Sequence, residues 1–182
     1  MNMKIVLTTT GLAIVALATS ATTFAATKAE INRKVSASLL QFNAINPANK
    51  TLGDKAAGML VFPRVTKGGI GVGGEFGEGV LKVNGKTVGY YSVGSASVGL
   101  TLGLAKHSEI IMFMTQESLN KFTTGDGWAI GADAGITVVS GGPTDSYDSQ
   151  THEKPILGFI YAQKGLIGDL SLEGSKISKI KT

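Results

Sequence analysis

Gly79-Val-Leu-Lys-Val-Asn-Gly-Lys-Thr-Val-Gly-Tyr-Tyr-Ser-Val93 sets two strand-forming runs around an Asn-Gly step. Asn-Gly supplies the two positive φ angles of a type I′ turn, whose twist matches that of the strands it joins. The stretch predicts a hairpin of residues 79–83 and 87–93, and the chain is read outward from it.

Upstream, Thr27-Lys-Ala-Glu30 has the form of a capping box, in which the hydroxyl serves the third helical amide and the glutamate reaches back. Ile31, Val35, Leu39 and Phe42 then recur at helical spacing as one apolar stripe, with Arg33, Lys34 and Gln41 off it. Asn46-Pro47 marks a stop and restart, with Asn as N-cap and Pro in the first turn of a short second helix ending near Gly58. Downstream, Val98, Leu100, Leu102 and Leu104 alternate with small residues, predicting a strand covered on both faces. Residues 109–114 read as a central strand, and residues 115–122 as a short helix capped by Thr115. Strands resume over 128–140, residues 141–154 form a polar loop, and residues 155–163 and 166–173 close with a second hairpin. The fold class is therefore α+β: N-terminal helices packed on a large twisted, mostly antiparallel β-sheet that curls toward a barrel, with one short additional helix.

Two glycine-patterned segments stand out. In Lys67-Gly-Gly-Ile-Gly-Val-Gly-Gly-Glu-Phe-Gly-Glu-Gly-Val80, Gly69, Gly71 and Gly73 recur at period two, which puts them on one strand face with Ile70 and Val72 on the other. In Lys164-Gly-Leu-Ile-Gly-Asp-Leu-Ser-Leu-Glu-Gly-Ser175, Leu170 and Leu172 alternate with Asp169, Ser171 and Glu173, as in a half-buried strand. Together with Lys55-Ala-Ala-Gly58, Val61-Phe-Pro63, Trp128-Ala-Ile-Gly-Ala-Asp133 and Gly142-Pro143, these segments resemble the SYLF domain family over about residues 37–180. The resemblance implies a lipid-head-group or membrane-surface role, and eukaryotic members also bind actin, which is not expected of a bacterial exported chain. Family members commonly follow Gly-Pro with an apolar residue, glycine and arginine. Here Thr144-Asp145 follows, which argues against an anion-binding role for this loop.

The N-terminus has Lys4, an apolar run over 5–18, and small residues Thr23 and Ala25 where a signal peptidase reads them. The run is shorter than the roughly 18 to 20 residues of a spanning helix. Residues 1–25 therefore read as a signal peptide and residues 26–182 as a single SYLF-like domain, exported to the periplasm or cell envelope. No cysteine is present, so disulfides, thiolate metal sites and a lipidated N-terminal cysteine are excluded. The formal net charge of +4, one less without Lys4, is too mild to imply nucleic acid.

Gly69-Ile-Gly-Val-Gly-Gly74 satisfies G-x-G-x-x-G, but no helix opens after it and no phosphate-loop lysine follows, so no nucleotide is expected. His107 and His152 both sit in polar, turn-like stretches without a ligand-spaced partner. Asp145, Asp148, His152 and Glu153 lack the order of a calcium loop and read as solvated charges. There is no G-x-S-x-G elbow, and Glu75 and Glu78, three apart on a strand, face opposite ways. No enzyme, metal or cofactor follows from these residues.

The leading expectation is an exported, non-enzymatic protein that binds anionic lipid or a membrane surface peripherally. Its basic residues would be Lys28, Arg33 and Lys34, flanking the stripe Ile31, Val35, Leu39 and Phe42, with Lys176, Lys179 and Lys181 as the other basic cluster. The alternatives are a small integral outer-membrane β-barrel and a soluble periplasmic interaction or scaffold module without lipid ligand. Thin aromatic content, 7 Phe, 4 Tyr and 1 Trp, speaks against the barrel. If the signal peptide is read correctly, intact-mass analysis of exported protein will find a chain beginning at Ala26, and retention of residues 1–25 rejects it.

Overall fold

Asn84 and Gly85 adopt φ of 49° and 74°, and Val83 pairs with Lys86 across them, as the type I′ reading requires. The computed structural model describes residues 27–125, 127–131, 133, 135–139, 153–166, 172 and 174–181. The expected signal peptide, Gly142-Pro143, most of the acidic loop and residues 167–171 of the second glycine segment lie outside the described residues.

The strands flanking the turn run much further than the local signal indicates. β1 (Gly58–Val83) has 26 residues and β2 (Lys86–Phe113) has 28, paired antiparallel almost end to end. The other edge of β2 is shared. Its residues 104–113 pair with β5 (Ile156–Leu166), and residues 91–94 pair with β6 (Lys176–Lys179). β3 (Gly127–Ala129) pairs with β6, and β4 (Thr137–Val138) lies parallel to β5, so that six strands among the described residues form a mostly antiparallel sheet that curls into a half-barrel.

The predicted helices form with their predicted N-cap residues, although at Thr27 the Glu30 carboxylate turns to Lys34. α1 (Lys28–Ile45) begins at Thr27, whose Oγ1 accepts from Glu30 N at 3.2 Å, while the Glu30 carboxylate pairs with Lys34 Nζ. α2 (Pro47–Lys55) is capped by Asn46 Oδ1, which accepts from Ala48 N at 3.0 Å. α3 (Gln116–Thr124) is capped by Thr115 Oγ1, which accepts from Ser118 N at 3.1 Å.

Each sheet face has its own core. On one, α1 and α2 bury Ile31, Val35, Phe42 and Leu52 against Val61, Val80, Ile110, Met112 and Phe159. Polar pins fix α1 there: Asn32 Nδ2 donates to Tyr90 Oη at 2.7 Å, and Ser38 and Tyr161 share a buried hydroxyl bond at 2.7 Å. On the other face, α3 and β3 close over Leu60, Phe62, Ile111 and Phe113, with Phe122 and Trp128 meeting at 5.4 Å between centroids.

Three expectations need correction. The expected turn at residues 164–165 does not form: β5 runs through it as one strand to Leu166. Most of the expected second limb, 166–173, lies outside the described residues, and a further strand falls in the basic tail at Lys176–Lys179, where it pairs with β2. Leu104 is 59% exposed, so the expected cover fails at that residue, while the side chains of 97–102 lie outside the described residues. Gly69, Gly71 and Gly73 do not form one uninterrupted face. The register jumps between Ile70 and Val72, and Gly71 sits in the gap at φ 72° with open space where a side chain would go. A Cβ at Gly69 would strike Val72 O and Gly73 Cα, so the chain folds closely on itself at this corner.

Gly71 is thus held by conformation rather than by a packed neighbour. Asn tolerates the left-handed region and Val does not. Gly71→Asn should cost under about 1 kcal/mol and Gly71→Val about 2 kcal/mol. Equal losses for the two, read by urea unfolding, would show that the corner does not impose this backbone.

Candidate functional site

β2 carries a His-x-Glu pair at residues 107 and 109, and two positions apart on a strand means one face. Both point inward, since their β1 partners Val65 and Phe62 belong to the interior core. His107 Nε2 and Glu109 Oε1 lie 2.7 Å apart. Glu75, from the limb of β1 beyond the corner, joins them, and one donor atom from each of the three lies within 4.8 Å of the others. Glu75, His107 and Glu109 are 5%, 3% and 0% exposed.

Burial favours the neutral carboxyl, and the nearby Glu109 adds to it, so Glu75 is pushed up to about 7 against the opposing pull of His107 and Lys67. Both Glu75 oxygens, Glu109 Oε2 and His107 Nδ1 are buried with no hydrogen-bond partner. Two carboxylates and an imidazole so placed can share a proton or hold a cation.

Among the described residues the opposite face of the same strands is uncovered at the corner. Ile70, Val72 and Phe76 are 84%, 67% and 60% exposed, and with Leu104 they form an apolar projection. A groove of about 730 Å³ runs between Thr66, Ile70 and Leu104 over the backbones of Gly68, Gly74 and Gly103. Two residues along β2 from Leu104, Lys106 lies directly opposite Lys164 of β5, and both are exposed. Neither forms an ion pair among the described residues. On the other side, Thr66 also borders a smaller groove of about 210 Å³ with Phe76, Arg64 and Lys34.

The lipid-binding residues expected from sequence do not share one surface. Ile31, Val35 and Phe42 are buried against the sheet and Leu39 is partly buried beside them, so the apolar stripe is occupied by the core. Each such side chain is worth about 1.5–3 kcal/mol when fully buried. Lys28 stacks over Tyr90 at 5.5 Å, Arg33 is exposed, and of the set only Lys34 and Ile31 line the groove at the corner. Lys176 and Lys179 belong to β6, and Lys181 follows it.

His107 is the main departure from the sequence reading: it sits within a strand, not in a turn, and has an acidic partner. The spacing His-x-Glu, taken as strand periodicity, was the available signal. Glu75 and Glu78 do separate, Glu75 inside and Glu78 lining the outer groove. Of the acidic loop residues, only Glu153 falls among the described residues, and it is exposed.

A family model described as Ysc84, Las17-binding protein actin regulator, matches residues 94–182. No curated protein matches the chain at a significant level.

The sign of the pH effect at Glu75 follows from its raised value. Between the ordinary 4.5 and about 7, the folded protein keeps a proton that the unfolded chain has released, so this group lowers stability as pH rises through that window. In chelator-containing buffer, Glu75→Gln should be more stable than wild type at pH 8, with the advantage shrinking toward pH 5. Parallel melting curves across that range would contradict it.

Proposed function

We propose, from the sequence resemblance to the SYLF domain family and the consistent family-model match over residues 94–182, that the chain is an exported, non-enzymatic protein that binds anionic lipid at a membrane surface through the corner of its sheet. The observation that carries this reading is the paired lysines beside exposed apolar side chains. Lys106 and Lys164 stand directly opposite each other, an arrangement that costs stability through like-charge repulsion. An anionic head group relieves that repulsion, while Ile70 and Leu104, on the same face, are placed to enter the apolar boundary. Lys34 and Arg64 supply positive charge on the Phe76 side.

The barrel alternative is disfavoured because α1 and α2 cover the sheet face that a barrel would present to lipid. Among the described residues no helix is long and apolar enough to cross a membrane. The family's description as an actin regulator is a property of the matched model, and no feature of the corner favours that partner over lipid.

Liposome flotation tests the reading. Each lysine near an anionic surface contributes about 1 kcal/mol, so Lys106→Gln/Lys164→Gln should weaken binding to anionic vesicles roughly thirtyfold at low salt. Ile70→Asp should remove the salt-resistant part. Arg33→Gln/Lys28→Gln, away from the corner, should have a smaller effect. If the corner variants float like wild type, the corner is not the lipid site. If wild type itself stays with the soluble fraction, the scaffold reading replaces lipid binding.

A further inference from the structure

The interior cluster lies on the face away from the lipid corner, and packing does not account for it. Its surroundings are Leu60, Phe62 and Val65, where an unpaired carboxylate is costly. The one hydrogen bond or ion pair within the cluster is His107 Nε2 to Glu109 Oε1. Glu75 is 95% buried by its 5% exposure, and both its carboxylate oxygens are unpartnered beside this pair. Lys67, itself 9% exposed, is the buried cation on the same face, yet it closes no ion pair with either carboxylate.

We propose that Glu75, His107 and Glu109 bind one divalent transition-metal ion, of the zinc type. An imidazole with two carboxylates is a mixed nitrogen and oxygen set, which suits such ions better than magnesium or calcium, whose preference is for oxygen alone. Bonds of about 2.0–2.2 Å hold neighbouring ligand atoms roughly 3 to 3.5 Å apart. The three donor atoms already lie within 4.8 Å of one another, so side-chain adjustment alone brings Glu75 in. His107 and Glu109, at 2.7 Å, separate slightly as the ion replaces their contact. The ion's two charges balance the two carboxylates and leave the imidazole neutral, as ligation requires. All three ligands stand on paired strands, which hold the set in place.

The test uses the full exported chain, stripped with chelator and titrated with zinc chloride by calorimetry, with imidazole nitrogens followed by NMR. The chain has only 2 histidines, so the assignment is simple. The expected result is uptake of one zinc ion per chain, with a shift of the His107 ring nitrogens and none at His152. Glu75→Gln and His107→Gln should each weaken binding at least about tenfold, and Glu78→Gln, on the other face, should not. The wild-type NMR shift decides the matter even if a variant folds poorly. No uptake, uptake with unmoved His107 nitrogens, or equal affinity for magnesium would each overturn the proposal. The first outcome leaves a proton shared between Glu75 and Glu109 as the way the cluster is satisfied.

Discussion

The antiparallel ladder between β1 and β2 is the interaction on which everything else depends. It joins Gly58 to Phe113 and Val83 to Lys86, so one pairing spans the whole sheet. Every other described strand attaches to β2 or to a strand that β2 already holds. The Asn84-Gly85 turn fixes the register, and a slip of one residue would send the interior side chains to the helical face. With β2 held in place, Leu60 and Phe62 of β1 would then meet α1 while Val61 would meet α3, and neither core could form.

The two cores divide the labour between the faces. The helical face is secured by apolar burial together with the hydroxyl and amide bonds at Asn32, Ser38 and Tyr161, where burial pushes the Tyr161 hydroxyl up to about 12. The interior face relies on an aromatic group, with Phe113 and Phe122 stacked at 4.8 Å and Trp128 against both. Neither core extends to the corner. Among the described residues nothing covers the sheet at the corner, and Ile70, Val72 and Leu104 are exposed there. The same strands carry Lys67 and Glu75 inward, so the open corner and the charged interior are two sides of one layer of backbone.

The helices were legible because their signals are local. Thr27, Asn46 and Thr115 each announce a cap that needs only a side-chain oxygen and an amide two or three residues on. The Asn-Gly hairpin was legible for the same reason, and the buried run at 110–113 followed from its continuous apolar character. The inward turn of the α1 stripe was also the simpler reading, since a helix beside a large sheet buries its apolar face there. Its assignment to lipid came from the company of Lys28, Arg33 and Lys34, and charge off the stripe does not decide where the stripe faces.

What periodicity could not carry across was a change of register. A period-two reading holds only while both strands advance together, and β1 and β2 fall out of step between Phe62 and Val65, between Ile70 and Val72, and between Leu81 and Lys82. At Ile70 and Val72 the partner moves from Leu102 to Val98, so the glycine alternation drawn through Gly71 joins two limbs that the chain itself separates. That jump is also what brings Glu75 to His107 and Glu109, although its own ladder partner is Ser95. A contact made by bending a strand leaves no mark at any fixed spacing. The half of the cluster on β2 was visible as His-x-Glu, and the remaining ligand required the corner.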